Sequence, residues 1–163
     1  MPSAIKQYER GFDQLSSKAI ATMRQDLDDI RRRMKSMRDE RTTTNIMRTS
    51  VLAGARVVRD RARENVVERT GELKRSIIAR TRRRRRGEDA ILATTTINPK
   101  SRSRHIAHLV EHGTEPHEIK SIKAVHPGAE PHPFMRPAID ENPDEILQAI
   151  LDKARERLEK VNV

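Results

Sequence analysis

Apolar side chains recur every three or four residues near the start of the chain, at Ile20, Met23, Leu27, Ile30, Met34 and Met37, with charge on either side. That period places them on one face and predicts a helix from Gly11 to about Arg38. With under three heptads, the stripe reads as a core or partner-facing helix rather than a coiled coil. Thr42-Thr43-Thr44-Asn45 interrupts it, and these residue types cap helices, so a second helix is expected from about Ile46 to Val66. Met47, Val51, Ala55, Val58 and Ala62 line its apolar face, and the small residues Ala53, Gly54 and Ala55 allow another element to approach closely.

Thr70-Gly71 stops the second helix, and the pattern then turns β-rich through Ile77, Ile78, Ala79 and Thr81. A second strand, Ala90 to Ile97, ends at Asn98-Pro99. Together the two predict a hairpin with Arg82, Arg83, Arg84, Arg85 and Arg86 at its tip. Ile106 to Glu111 reads as a third strand, although Ile106, Leu109, Val110 and Gly113 also match helical spacing. Leu147, Leu151, Ala154, Leu158 and Val161 share one face of a terminal helix over Asp140 to Val161, with Asp144 and Glu145 in its first turn suiting the helix dipole.

Between the third strand and the last helix lies a connection of a different kind. The stretch from His105 to Asp140 holds five of the eight prolines and all six histidines. Its central loop, about eighteen residues long, exceeds what compact domains ordinarily tolerate without a function. Its prolines each fix φ and bias the preceding residue away from helix, so the loop is expected to be held extended.

Composition narrows the options. Aromatic residues make up 2% of the 163 and charged residues 36%, a thin supply of core that fits partial disorder or a protomer completed by its neighbours. There is no cysteine, hence no disulfide or thiolate metal site. No apolar stretch approaches the roughly 20 residues of a membrane span, and the N-terminus has no apolar signal core, so a soluble protein made in a cytoplasm is expected, with no membrane partner. The net charge of +10 is uneven: residues 41–104 carry eighteen basic against six acidic side chains, residues 105–163 seven against eleven. A basic middle beside an acidic C-terminal third points to nucleic acid, an acidic partner, or a second copy of the chain.

Two chemistries compete for the histidines. His108-Leu109-Val110-Glu111-His112 fits the H-x-x-E-H letters of an inverted zinc-protease motif. That chemistry needs both histidines on one helix face, a glutamate as general base and a third ligand. On a strand the two histidines would lie about 13 Å apart, too far to share a zinc, and Gly113 ends the segment at once. His117, His126 and His132 could hold a structural metal; the plainer reading makes His117 and His132 polar loop residues and gives Glu111 backbone or arginine hydrogen bonds that shape the loop. The arginine run is either a solvated tip, a contact for an acidic neighbour, or a non-specific DNA contact, since phosphate attraction needs only clustered cations. No aromatic side chains interleave with it for base stacking.

Three motifs in order resemble one family. They are Thr70, Gly71, Leu73, Ser76 and Ile77; then Val110, Glu111, Gly113 and Thr114; then Pro133, Phe134, Arg136, Pro137 and Ala138. With a long helix before them, two strands between and a helix after, they are similar to the head–tail joining (neck, tail-completion) proteins of long-tailed bacteriophages of the Hong Kong-97 type, over roughly residues 45–160. Where the family often has proline before Thr-Gly this chain has Val67-Glu68-Arg69, and around V-E-x-G-T it has His105, His108 and His112 in place of aromatics.

The resemblance implies a non-catalytic, cofactor-free structural subunit of the virion, assembled in the bacterial host cytoplasm. It implies a six- or twelve-fold homo-oligomeric ring in the neck, meeting portal-adaptor or tail-tube proteins and joining the capsid portal to the tail. The expected fold is α+β: a small antiparallel sheet packed by helices, with a long N-terminal helix and a C-terminal helix. Residues 1–44 form a helical extension and 45–163 the joining domain. Glu111, Gly113, Thr114, Pro133, Phe134, Arg136 and Pro137 are the expected assembly interface, Phe134 as an apolar anchor and Arg136 paired to a carboxylate. A basic nucleic-acid-binding protein is the alternative, and a zinc-dependent hydrolase the third reading.

Overall fold

A computed structural model describes residues 17–37, 39–67, 70–83, 91–119 and 124–161. Its spine is α2 (Glu40–Asn65), 26 residues long, against which most of the chain packs. α1 (Ser17–Ser36) precedes it, and the part of the expected first helix before Ser17 lies outside the described residues. α3 (Glu72–Ser76) leads into β1 (Ile77–Arg83), which pairs antiparallel with β2 (Ile91–Ile97) from Ile77↔Ile97 to Arg83↔Ile91. A 3-10 turn (Arg102–His105), α4 (Ala107–His112), the short strands β3 (His117–Ile119) and β4 (Ala124–His126), α5 (Met135–Asp140) and α6 (Pro143–Glu159) complete the described elements. The fold is the expected one in class, a small antiparallel sheet packed by helices between an N-terminal and a C-terminal helix.

α2 begins six residues earlier than its apolar stripe predicts. Asp39 is its N-cap, its carboxylate accepting from the backbone N–H groups of Arg41 (3.1 Å) and Thr42 (3.2 Å) and from the Thr42 hydroxyl. The Thr43 hydroxyl donates back to the Asp39 carbonyl at 3.1 Å. The Thr-rich stretch therefore sits inside the first turns of α2 instead of breaking the chain, and a boundary between residues 44 and 45 would cut a continuous helix. Ala55, Val58 and Ala62 are buried as expected and the buried face extends back through Gly54 and Ser50 to Ile46, while Met47 is exposed. Gly54 makes room there for α6, because a Cβ would come within 2.7 Å of the Ile150 side chain and force it to shift. The buried Ser50 hydroxyl is satisfied by the Ile46 carbonyl at 2.8 Å.

Two apolar clusters hold the molecule. Val58, Ala62, Val66, Leu73, Ile77, Ala107, Phe134 and Ala138 form the larger, joining α2 to the hairpin and the C-terminal segments. Ile30, Ile46, Leu151, Ala154 and Leu158 form the second, which seats α1 on α2 and α6. The N-terminal helix is thus part of the packed body, with its Met23 and Met34, and Met37 just after it, set against this cluster. The Thr70-Gly71-x-Leu73-x-x-Ser76-Ile77 motif acts in packing. Gly71 takes a left-handed φ of 68°, Leu73 and Ile77 enter the core, and the Ser76 carbonyl accepts the Asn98 N–H at 2.7 Å to close the hairpin base.

Candidate functional site

The long connection is neither a third strand nor a loose loop. Ile106 to Glu111 belongs to the helical segment ending in α4, which corrects the strand reading. Beyond it the chain forms a β-arm. Thr114 and Ala129 exchange backbone hydrogen bonds of 2.9 and 3.0 Å at its base, then β3 and β4 pair antiparallel through His117↔His126, Glu118↔Val125 and Ile119↔Ala124. Residues 120–123 at the tip lie outside the described set. Glu115, His117, Glu118, Ala124, Val125 and His126 are all exposed, Val125 at 73%, so the arm is held by its backbone and its base.

That base is built by V-E-x-G-T. The Val110 carbonyl accepts the His132 N–H at 2.8 Å. Gly113 ends α4 at φ 71° and ψ −175°, a region nearly closed to residues with a Cβ, and a Cβ there would sit 2.6 Å from the Ala129 carbonyl oxygen. Gly128, at φ 88°, makes the return crossing, where a Cβ would press on the Thr114 carbonyl. Glu111 caps the helix across the gap. Its Oε2 accepts the N–H groups of Phe134 and Met135, each at 2.9 Å, and its Oε1 that of Arg136 at 3.0 Å. A helix leaves its first four N–H groups without partners. Pro137 has no N–H, so three donors remain at the start of α5 and one carboxylate takes all of them. Partial burial pushes the Glu111 carboxyl up. The three backbone donors and the nearby His112 outweigh it and hold the pKa below the ordinary glutamate value.

The proline-flanked segment 133–138 is therefore an internal joint, and the pocket that Phe134 fills is in its own subunit. Phe134 is 2% exposed within the larger cluster of its own chain, leaving no ring to offer a neighbour. Pro133 is exposed, Pro137 half-buried, and Arg136 pairs with Asp140 at 3.3 Å one turn along α5. Of the expected interface residues, Glu111, Gly113, Thr114, Phe134 and Pro137 shape the arm's base.

The helical reading also removes the distance argument against H-x-x-E-H, since His108 and His112 stand four residues apart on α4. Glu111, the general base that chemistry would need, has its carboxylate engaged by three backbone donors. Among the described residues no group of three or more His, Cys, Asp or Glu side chains is placed to hold a metal. His117 and His126 stack across the arm with ring centroids 5.1 Å apart. The His117 ring lies 3.1 Å from the Glu115 carbonyl through Nδ1, and the Gly128 N–H donates to His126 Nδ1 at 3.0 Å. His132 takes part in the base through its backbone.

Of the arginine run, Arg82 is exposed at the end of β1 and Arg83 pairs in register with Ile91, whereas Arg84, Arg85 and Arg86 lie outside the described residues. The structure adds residues that the sequence reading missed. Arg41, Thr44, Asn45 and Arg48 on α2 face Thr81 and Arg82 across a cleft, and Arg48 Nε donates to Thr81 Oγ1 at 3.0 Å. Starting α2 at Glu40 would have shown it, because 41, 44, 45 and 48 then fall on one helical face.

Residues 28–113 match the family model described as "Bacteriophage HK97-gp10, putative tail-component". The chain belongs to this HK97-gp10-like family. The match runs from the middle of α1 to Gly113 at the foot of the arm, covering the Thr-Gly motif, the hairpin and the capping Glu111. Neither the curated proteins nor the solved structures give a significant match. Membership makes this a tail-component-like structural protein of a bacteriophage, located with the virion and working among other phage structural proteins. No helix among the described residues is long and apolar enough to cross a membrane.

Proposed function

We propose that the protein is a ring-forming neck or tail-completion subunit that joins the capsid portal to the tail, non-catalytic and assembled in the host cytoplasm. The β-arm is the observation that carries this reading. Two three-residue strands, paired only with each other among the described residues, stand out from the packed body with exposed side chains and open edges. An isolated two-stranded ribbon is at best marginally stable in water and its edges are templates for further pairing. Here the ribbon is fixed at its root by two left-handed glycines, a bridging pair and a capped helix. A rigid root lowers the entropy lost when such an arm docks. The body and the arm are unlike surfaces, and a closed ring needs a heterologous contact between unlike patches.

The mass of the purified chain in solution, measured by light scattering on a sizing column and followed by negative-stain imaging, tests the reading. Six- or twelve-fold rings are expected. A strict monomer across the concentration range, in the presence of portal and tail proteins as well as alone, overturns it.

A further inference from the structure

We infer that the cleft between the N-terminal turns of α2 and the β1–β2 hairpin is a binding site for the phosphate backbone of duplex DNA. Arg41 and Arg48 lie seven residues apart on α2, about 10 Å along its axis, and Arg82 faces them from the strand. Thr44, Asn45 and Thr81 line the same cleft with hydroxyl and amide groups, beside Ile91. Among the described residues none of the three guanidinium groups forms a salt bridge, in contrast to Arg33, Arg59, Arg61 and Arg155, each paired with a carboxylate. Asp39, at the entrance of α2, has its carboxylate committed to the first helical turn. The bond from Arg48 Nε to Thr81 orients that guanidinium while leaving its two terminal nitrogens as donors. β1 then runs directly into the remaining arginines of the run.

Two observations favour a nucleic acid over a second copy of the chain. The carboxylates of the terminal helix are largely engaged within the molecule: Glu145 by Arg61, Asp152 by Arg155, and Glu156 by Lys153 and Lys160. The sequence of the arm balances Glu115, Glu118 and Glu130 against Lys120 and Lys123, which makes it a poor polyanion. Duplex is favoured over single strand because single-strand sites rely on aromatic stacking, and no aromatic side chain lines the cleft. Arginine and hydroxyl donors on phosphate give affinity without sequence preference and a steep dependence on salt.

This site deepens the neck reading, in which the subunit sits where DNA passes, yet it can fail separately. The test measures binding of the full chain to a fluorescent mixed-sequence duplex at 50 and 200 mM salt, beside the ring assay. Each neutralised phosphate contributes a slope of about −0.9 in log K against log salt. Arg41→Ser with Arg48→Ser should therefore flatten the slope by about 1.8 and cut the native loss of affinity over that salt range by ~12-fold, on every duplex alike. Arg41→Ser alone, which breaks no hydrogen bond of the fold, should flatten it by about 0.9. Arg102→Ser with Arg104→Ser removes the same charge from exposed positions outside the cleft and should leave the slope nearly unchanged.

Equal flattening by the two double variants, no flattening by Arg41→Ser, or native binding to poly-glutamate but not to duplex at 50 mM salt would each overturn the inference. Rings without duplex binding would sink it and leave the neck reading standing; duplex binding lost with Arg41 and Arg48 in a strict monomer would do the reverse.

Discussion

Replacing Glu111 probes the whole base of the arm through one side chain. Glu111→Ala strips the start of α5 of its only cap, because Phe134 at the N-cap position has no side-chain acceptor. Losing a helix cap costs about 0.5–2 kcal/mol. Two of the abandoned N–H groups, on Phe134 and Met135, are partly buried, and an unsatisfied buried donor costs about 1–3 kcal/mol. The third, on Arg136, is exposed and water can replace the carboxylate there. Allowing for partial water access at the first two, the variant should lose about 2–4 kcal/mol. For a chain of this length that lowers the melting temperature by about 5–15 °C.

The pH dependence isolates the charge. A carboxyl whose pKa is depressed on folding contributes stability that is complete above its unfolded value, about 4.3 for glutamate, and fades as pH falls through the folded value. Glu111→Gln keeps an acceptor but no charge. Its melting temperature should trail the native one at pH 7 and converge on it as the pH drops below 4. Thermal unfolding followed by circular dichroism reads both effects. A Glu111→Ala melt within a degree of native, or a Gln deficit that stays constant from pH 7 to pH 3, would refute the capping argument.

Phe134→Ala empties a site in the larger core cluster and should cost about 3–5 kcal/mol of folding stability, visible as an earlier denaturant midpoint for the isolated chain. Unchanged stability combined with lost assembly would return Phe134 to the role of an intermolecular anchor. Gly113→Ala forces a side chain into a conformation costing about 1–3 kcal/mol and against the Ala129 carbonyl, so it should lower both the melting temperature and the assembled mass. His108→Ala and His112→Ala should leave assembly intact, and elemental analysis of the native protein should find no stoichiometric zinc; one tightly held zinc per chain, lost with either change, would revive the hydrolase reading.

The elements legible in the sequence are those whose burial is periodic and one-sided. Leu147, Leu151, Ala154 and Leu158 announce the terminal helix because α6 buries a single stripe, and the β1–β2 hairpin ends at Ile97 where Asn98-Pro99 says it should. The start of α2 was hidden because threonine and asparagine compete with helix in the absence of context. One aspartate three residues ahead, Asp39, tips that balance by capping the turn in which they lie. α4 failed for another reason. Six residues are too few for a period of 3.6 to separate from a period of 2, and its buried face is little more than Ala107. The cleft was missed as a consequence, since its α2 half depends on where that helix begins.

The arm's prolines announce an extended chain, but its pairing could not be read from local pattern, and the reason lies in how its parts are spaced. Its strands are three residues long and exposed on both faces, so no apolar alternation marks them. What fixes them are contacts across 15 to 25 residues: Thr114 with Ala129, Val110 with His132, and Glu111 with three successive amides. V-E-x-G-T and P-F-x-R-P-A look like separate strings, yet they are two halves of one joint. The prolines show how closely they are matched. Pro133 and Pro137 lack an N–H and bracket a run of three residues that have one, and the two oxygens of Glu111 accept those three donors and no others among the backbone groups described. Alanine at 111 would leave the two partly buried donors unsatisfied and the exposed third to water. The run between the two prolines is thus matched to a single carboxylate some 25 residues away, a relation that no window of local periodicity contains.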